Sequence, residues 1–114
     1  MIEKLIEKIF HARNAAHVQH WKTGSYAQHK ALGNYYEDVT GLLDEFVEAY
    51  QGTFGLISDV KGQESDVAQL IHDEIIWLNE NRNKLAKGVP ALENLLDEIT
   101  ALHMKTLYKL ENLR

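Results

Sequence analysis

The chain has 114 residues, of which 45% are hydrophobic and 25% charged, and its formal net charge is -5. This length suits a single domain covering residues 1–114, and the composition is that of a globular protein and not of a disordered one. An acidic balance without a basic run at either terminus argues against DNA binding. Cysteine is absent, so disulfides are excluded and any metal must be held by histidine and carboxylate side chains.

Nothing in the sequence indicates export or insertion into a membrane. Residues 1–17 are amphipathic and carry charges every few positions, unlike a signal peptide. No apolar run is long enough to cross a bilayer as a helix. We therefore expect a cytoplasmic protein with no membrane segment.

Apolar residues recur at helical spacing in four stretches, and glycine, serine or proline interrupts the pattern between them. The predicted helices span about residues 2–21 and 26–50, then from an N-cap at Ser65 to Gly88, and from Pro90 to the C-terminus. The short turn at residues 22–25 makes the first two helices antiparallel neighbours. The predicted fold class is therefore all-α, with four helices in one bundle.

The link between the second and third helices, roughly residues 51–64, is long for a helical bundle. Fully extended it could reach roughly 45 Å, at about 3.3 Å per residue. That is enough to follow a helix of about 25 residues from end to end. A crossover of this kind is the connectivity of ferritin-like bundles, and an unstructured loop is the alternative.

Four of the six histidines lie within nineteen residues around the first turn, at positions 11, 17, 20 and 29. Histidine is the usual nitrogen ligand of transition metals, although single histidines on helix surfaces are commonly inert. On the second helix, Asp44 and Glu48 fall away from the predicted core stripe that includes Leu43 and Phe46. Their face also carries Gly33, Glu37 and Gly41, and the glycines would let another helix approach closely.

Helix geometry decides how these ligands could meet. His29 and Asp44 are 15 residues apart, roughly 22 Å along a helix, so one chain cannot bring them to one ion. Two antiparallel copies of the second helix can. The midpoint between His29 and the two carboxylates falls near Glu37, and so does the midpoint between the two glycines of that face. We therefore predict a homodimer with a two-fold axis through Glu37 and two equivalent sites.

Each predicted site combines His20 and His29 of one chain with Asp44 and Glu48 of its partner. His17, one turn before His20, is a further ligand or an outer group that orients one. Two nitrogens and two carboxylates suit iron, manganese or zinc. The alternative is a helical interaction module without metal or catalysis, which dimerises through the second helix and leaves the carboxylates in water.

The order His20-Trp21, His29, Asp44 and Glu48 resembles the ferroxidase signature of Dps-type miniferritins, members of the ferritin-like superfamily, over about 30 residues. The resemblance implies that both histidines come from one subunit and both carboxylates from its dimer partner. It further implies that iron is the metal, that Fe(II) is oxidised by peroxide or oxygen, and that the product is stored inside a twelve-subunit cage.

Several positions depart from the pattern of that family. The spacing from His20 to His29 is shorter by about one helical turn, which leaves His17 as an alternative ligand. Gly33 and Ala49 stand where the family often has an acidic residue and an arginine. A basic N-terminal tail, with which some members bind DNA, is absent. A dimer without a cage could bind and oxidise iron but could not store it.

A second polar set lies among apolar positions of the helices. Arg13, Glu74 and His103 each fall on the core face of their own helix. We predict that they form a buried ion pair capped by a histidine, because an unpaired buried charge is costly. A pocket within the bundle is the alternative. The remaining polar and aromatic candidates are expected on the surface or at an interface: His11, Tyr26, His72 and Trp77.

Overall fold

The structure is a computed structural model that describes residues 1–113. Helix α1 covers Ile2–Lys22, α2 covers Tyr26–Phe54, α3 covers Val67–Ala86 and α4 covers Pro90–Asn112. No strand occurs in this part of the chain, so the predicted all-α class with four helices is confirmed. The chain divides into two compact units, Met1–Glu64 and Ser65–Arg114, each built around one antiparallel helical hairpin.

Local capping explains where the helices of the first unit begin and end. Ser25 caps α2, because its hydroxyl accepts a hydrogen bond from the backbone N–H of Gln28 at 3.2 Å. The predicted end near residue 50 was one turn too early, because Gly52 is accommodated inside the helix. The helix stops at Gly55, whose φ of 95° suits a residue without a side chain.

The caps of the second unit differ from the prediction by one residue. Asp66, and not Ser65, caps α3, and its carboxylate accepts from the backbone N–H of Gln69 at 3.2 Å. The chain leaves α3 through Lys87 and Gly88, both with positive φ, at 52° and 79°. Pro90 then occupies the first turn of α4, where its missing N–H costs no hydrogen bond.

The core of the first unit lies at the open end of its hairpin. Ile2, Ile6 and Leu43 are buried, and the link after α2 adds Ile57 and Val60 to them. The link is therefore a packed segment and not an unstructured loop. It returns along α1, where the backbone N–H of Ser58 donates to the carboxylate of Glu3 at 3.0 Å.

One rule describes the register between α1 and α2. Arg13 bonds Thr40, His17 stacks on Tyr36, and the ring of His20 lies against Gly33. The two residue numbers in each of these pairs add to 53, as expected for two antiparallel helices that pack without a shift along the seam. This register determines which side chains meet at the first turn.

The second unit is joined along its seam by polar contacts as well as apolar ones. The guanidinium of Arg82 on α3 holds Asp97 of α4 through two bonds, at 2.8 and 2.9 Å. Its third bond, at 2.8 Å, goes to Glu93. These bonds raise the pKa of Arg82, and the bond from Arg82 lowers the pKa of Asp97.

The outer face of each hairpin keeps large apolar side chains in contact with solvent. Phe46 on α2, placed in the predicted core stripe, is 52% exposed, and Leu42 on the same helix is 65% exposed. On α4, Leu95 and Leu102 are 56% and 64% exposed. The apolar stripe of each helix is thus wider than one neighbouring helix can cover. Within residues 1–113, no helix has both the length and the apolar character needed to cross a bilayer.

Candidate functional site

His20 and His29 meet at the turn between α1 and α2. His20 lies in the last turn of α1 and His29 in the first turn of α2, and their rings stack with centroids 3.6 Å apart. The Nδ1 of His20 donates to the backbone carbonyl of His29 at 2.6 Å, and the Nδ1 of His29 donates to the carbonyl of His20 at 2.8 Å. The pair therefore ties the two helix ends together, so the structure places these two predicted site residues side by side.

The hydrogen bonds fix the position of the protons. A carbonyl oxygen can only accept a hydrogen bond, so Nδ1 carries the hydrogen in both rings. In the neutral tautomer, the Nε2 of each ring then keeps a free lone pair. Histidine ligands of metal ions usually hold their other nitrogen in such a bond. In that tautomer, Nε2 is the atom of each ring that could bind a metal ion.

The stacking sets a further condition on metal binding. The lone pair of each Nε2 lies in the plane of its own ring, and the two planes are stacked at 3.6 Å with an angle of 19° between them. An ion bound by both nitrogens at about 2.0–2.1 Å must lie close to both planes. In the stacked arrangement the two nitrogens therefore cannot share one ion, and sharing one would require the rings to leave the stack.

Gly33 has a role inside the hairpin that the sequence interpretation missed. A Cβ at this position would lie 3.1 Å from Cε1 and 3.2 Å from Nδ1 of His20. The missing side chain therefore makes room for the ring of His20 in the same chain. Gly41 differs, because nothing lies within 4 Å of its Cβ position. Of the two glycines assigned to a dimer interface, Gly41 is the one with unoccupied space at its Cβ position, into which another helix could pack.

His17 is held between two aromatic side chains. Its ring stacks on Tyr36 with centroids 3.9 Å apart and lies 4.3 Å from Trp21. Its distance to the ring of His20 is 6.4 Å, edge to face. The guanidinium of Arg13 lies over the Tyr36 ring, 5.8 Å from its centre, within the range of a cation–π contact. Tyr36 was not predicted as part of the site, although the register of the hairpin places it opposite His17.

The predicted carboxylate ligands are not brought to the histidines within one chain. Asp44 and Glu48 lie on α2, and both are exposed. In residues 1–113, no group of three or more histidine and carboxylate side chains is close enough to hold a metal ion. Of the four predicted ligands, the single chain brings together only the two histidines, and His17 lies beside them.

The prediction for Arg13, Glu74 and His103 was wrong about burial and about Arg13. The Nε2 of His103 donates to Glu74 at 2.8 Å, but these side chains are 21% and 50% exposed. Arg13 bonds Thr40 within the first unit. The Nδ1 of His103 donates to the carbonyl of Ile99 at 2.8 Å, so both ring nitrogens face acceptors, an arrangement that favours the imidazolium form. The bond to Ile99, followed by that to Glu74, raises the pKa of His103.

The chain is thus an all-α protein with a stacked pair of histidines at the turn of its first helical hairpin. It belongs to the family described as "Family of unknown function (DUF5856)", whose profile matches residues 20–110. The match includes both histidines and both candidate carboxylates.

A protein of Enterobacteria phage T4 is similar to this chain. It is described as an uncharacterized 14.6 kDa protein in the mobD-ri intergenic region, and it is 31% identical over 100 residues. The alignment covers 82% of this chain and 75% of the phage protein. No solved structure matches the chain significantly. The two descriptions name no ligand and no reaction, so the function must be argued from the site.

Proposed function

We propose that the protein binds iron at a ferritin-like site that two copies assemble together. His20 and His29 of one chain supply the nitrogens, and Asp44 and Glu48 of a second copy supply the oxygens. The observation that supports this function is the histidine pair, in which both Nδ1 atoms donate to carbonyls and both Nε2 atoms are free. The carboxylates support it through their exposure, which leaves them available to a second copy.

The chemistry follows from the ligand set. Iron bound at this site would supply one-electron redox chemistry, with Fe(II) as the substrate and peroxide or oxygen as the oxidant. Asp44 and Glu48 would offset the positive charge and favour the ferric state, and manganese or zinc would fit the same ligands. His17, held by Tyr36 and Trp21, would keep the ring of His20 in place from the side. We place this activity in the cytoplasm.

The second copy would approach along α2. Gly41 is open, and a two-fold axis near Glu37 would bring each histidine pair beside the carboxylates of the other chain. Such a dimer is sufficient for binding and oxidation, whereas a dodecameric cage would be needed for iron storage. Solution mass, measured by light scattering, separates the dimer from the cage.

Complementation between two defective variants tests the shared site directly. One variant carries His20→Ala and His29→Ala, and the other carries Asp44→Ala and Glu48→Ala. Each alone should fail to oxidise Fe(II) in an aerobic titration with and without peroxide. After subunit exchange in an equal mixture, half of the dimers are mixed and each has one intact site. The mixture should therefore recover about a quarter of the wild-type sites.

Two controls make that result interpretable. Glu45→Ala removes an exposed carboxylate of the same helix that is outside the ligand set, and it should leave iron oxidation unchanged. Circular dichroism should show native helicity in every variant. Wild-type activity in the Asp44→Ala/Glu48→Ala protein, or no recovery in a mixture whose subunits demonstrably exchange, would refute the shared site.

A second candidate function is a metal-free helical module that associates with its own copies. The observation that favours it is the large apolar surface of the hairpins, where Leu95 and Leu102 of α4 are more than half exposed. Monomeric proteins rarely expose contiguous apolar patches of more than a few hundred Å². This function predicts a dimer that persists in EDTA and that Leu95→Gln with Leu102→Gln dissociates in sedimentation velocity. Unchanged sedimentation of that variant would rule out association through α4.

A further inference from the structure

A cleft of the first unit lies between α1 and the link that follows α2, away from the histidine pair. Its volume is about 490 Å³, which is within the usual range for a small-molecule site. Most of its polar lining consists of side chains that can donate hydrogen bonds: Lys4, Lys8, His11, Asn14, Lys61 and Gln63. The lining of the cleft is therefore rich in hydrogen-bond donors and lysines, whereas the chain as a whole is acidic.

The position of the link fixes the width of this cleft. Ile57 and Val60 pack on the core of the first unit, and the backbone N–H of Ser58 is bonded to Glu3 at 3.0 Å. That bond also lowers the pKa of Glu3, so the carboxylate stays ionised and keeps its hold on the link. With Val60 anchored, Lys61 is held beside α1 in the same cleft as Lys8.

The charges in the cleft favour an anion. Lys4 lies 3.5 Å from Glu7, the acidic residue of the lining. Lys8 and Lys61 form no ion pair with any other residue within positions 1–113. With histidine neutral, three lysines and one glutamate give the lining a charge of +2, whereas the whole chain carries -5. Glu64 is turned to the backbone N–H of Gly62, at 3.1 Å, and does not line the cleft.

We propose that this cleft binds a phosphate-bearing small molecule. Lys8 and Lys61 would hold the phosphate oxygens from opposite walls, and the amides of Asn14 and Gln63 would add neutral donors. Phe10, which also lines the cleft, offers an apolar wall for the remainder of the ligand. The proposal does not depend on metal binding at His20 and His29, since none of these residues belongs to that site.

Inorganic pyrophosphate is the probe that tests the proposal. It is titrated into metal-free, full-length protein at low salt, with binding followed by calorimetry and by backbone amide shifts. We expect the shifts to concentrate at residues 8–14 and 61–63. Lys8→Gln with Lys61→Gln should weaken binding at least about tenfold, because each lysine makes a charge-assisted bond. Added salt should weaken binding in the wild type.

The control variant makes the same change of charge elsewhere. Lys105→Gln with Lys109→Gln, on α4 and outside the cleft, should leave the affinity for pyrophosphate unchanged. A nucleoside diphosphate as second ligand should bind more tightly than pyrophosphate if Phe10 contacts the organic part. The proposal is overturned if millimolar pyrophosphate does not bind, if both double variants lose the same affinity, or if the amide shifts fall elsewhere.

Discussion

Alanine should affect stability differently at the two glycines of α2, Gly33 and Gly41. Alanine in place of glycine inside a helix ordinarily stabilises it by about 1 kcal/mol. Gly41 has nothing within 4 Å of its Cβ position, so Gly41→Ala should give that full gain. At Gly33, the new methyl group would lie 3.1 Å from the ring of His20, and the ring must move by a few tenths of an ångström.

The cost at Gly33 can be worked from the contacts of His20. Moving the ring weakens its 2.6 Å bond to the carbonyl of His29 and its 3.6 Å stack on the ring of His29. Losing one such bond costs about 1 kcal/mol, which offsets the gain in helix propensity. Gly33→Ala should therefore be at least about 1 kcal/mol less stable than Gly41→Ala, or about 5 °C in Tm for a protein of this size.

Urea unfolding followed by circular dichroism at 222 nm measures this difference. In a His20→Ala background the clash is gone, so Gly33→Ala should then stabilise as much as Gly41→Ala does. Equal stabilisation by both substitutions in the wild-type background would refute the role assigned to Gly33. If the gain from Gly41→Ala disappears as protein concentration rises, a second copy packs at Gly41, as the proposed dimer requires.

Three further predictions concern single contacts. The pKa of His103 is raised in the folded chain, so its contribution to stability is complete below about pH 6.5 and is lost as pH rises through the folded pKa. Urea titrations from pH 5.5 to 8.5 measure this pH dependence, and Glu74→Gln should flatten it. The pKa of Asp97 is lowered, so its contribution to stability is present above its unfolded pKa of 3.8 and is lost as pH falls through the folded pKa. The Arg82→Lys variant should lack this contribution in thermal melts, because lysine cannot form the two paired bonds to Asp97. Leu43→Ala, which empties a buried core position, should cost about 2–3 kcal/mol in urea unfolding, whereas Leu42→Ala beside it should be nearly neutral because Leu42 is 65% exposed.

Helix content was predictable from the sequence because apolar spacing and capping residues act locally. The predicted helix ends were wrong where more than one residue could begin or end the helix. Ser65 and Asp66 can both cap a helix, and the structure shows that the carboxylate of Asp66 reaches the N–H of Gln69. Gly52 looked like a stop, but the contact between Tyr50 and Phe54, with ring centroids 4.9 Å apart, carries the helix past it.

The nitrogen half of the candidate site was predictable for the same reason. His20 and His29 flank a short turn, so the hairpin brings them together whatever the rest of the chain does. The register of that hairpin also pairs His20 with Gly33 and His17 with Tyr36. These two contacts follow from the short turn, but the sequence analysis did not predict them. The carboxylates of the proposed site would come from a second copy, and no local rule fixes how two copies meet.

The histidine pair has a structural role and a proposed ligand role, and stability measurements separate the two. A purely structural pair makes His29→Ala destabilising to the same extent with and without metal. A metal ligand adds a gain that depends on metal, about 2.7 kcal/mol at a hundredfold excess over Kd.

Asp44 and Glu48 supply the decisive variant, because they are exposed and lie 15 residues or more beyond His29 on α2. Asp44→Ala with Glu48→Ala should leave the melting temperature of the metal-free protein unchanged, since neither residue touches the turn. If the same variant also abolishes the metal-dependent gain, the histidines act as ligands together with carboxylates that the hairpin itself does not place beside them.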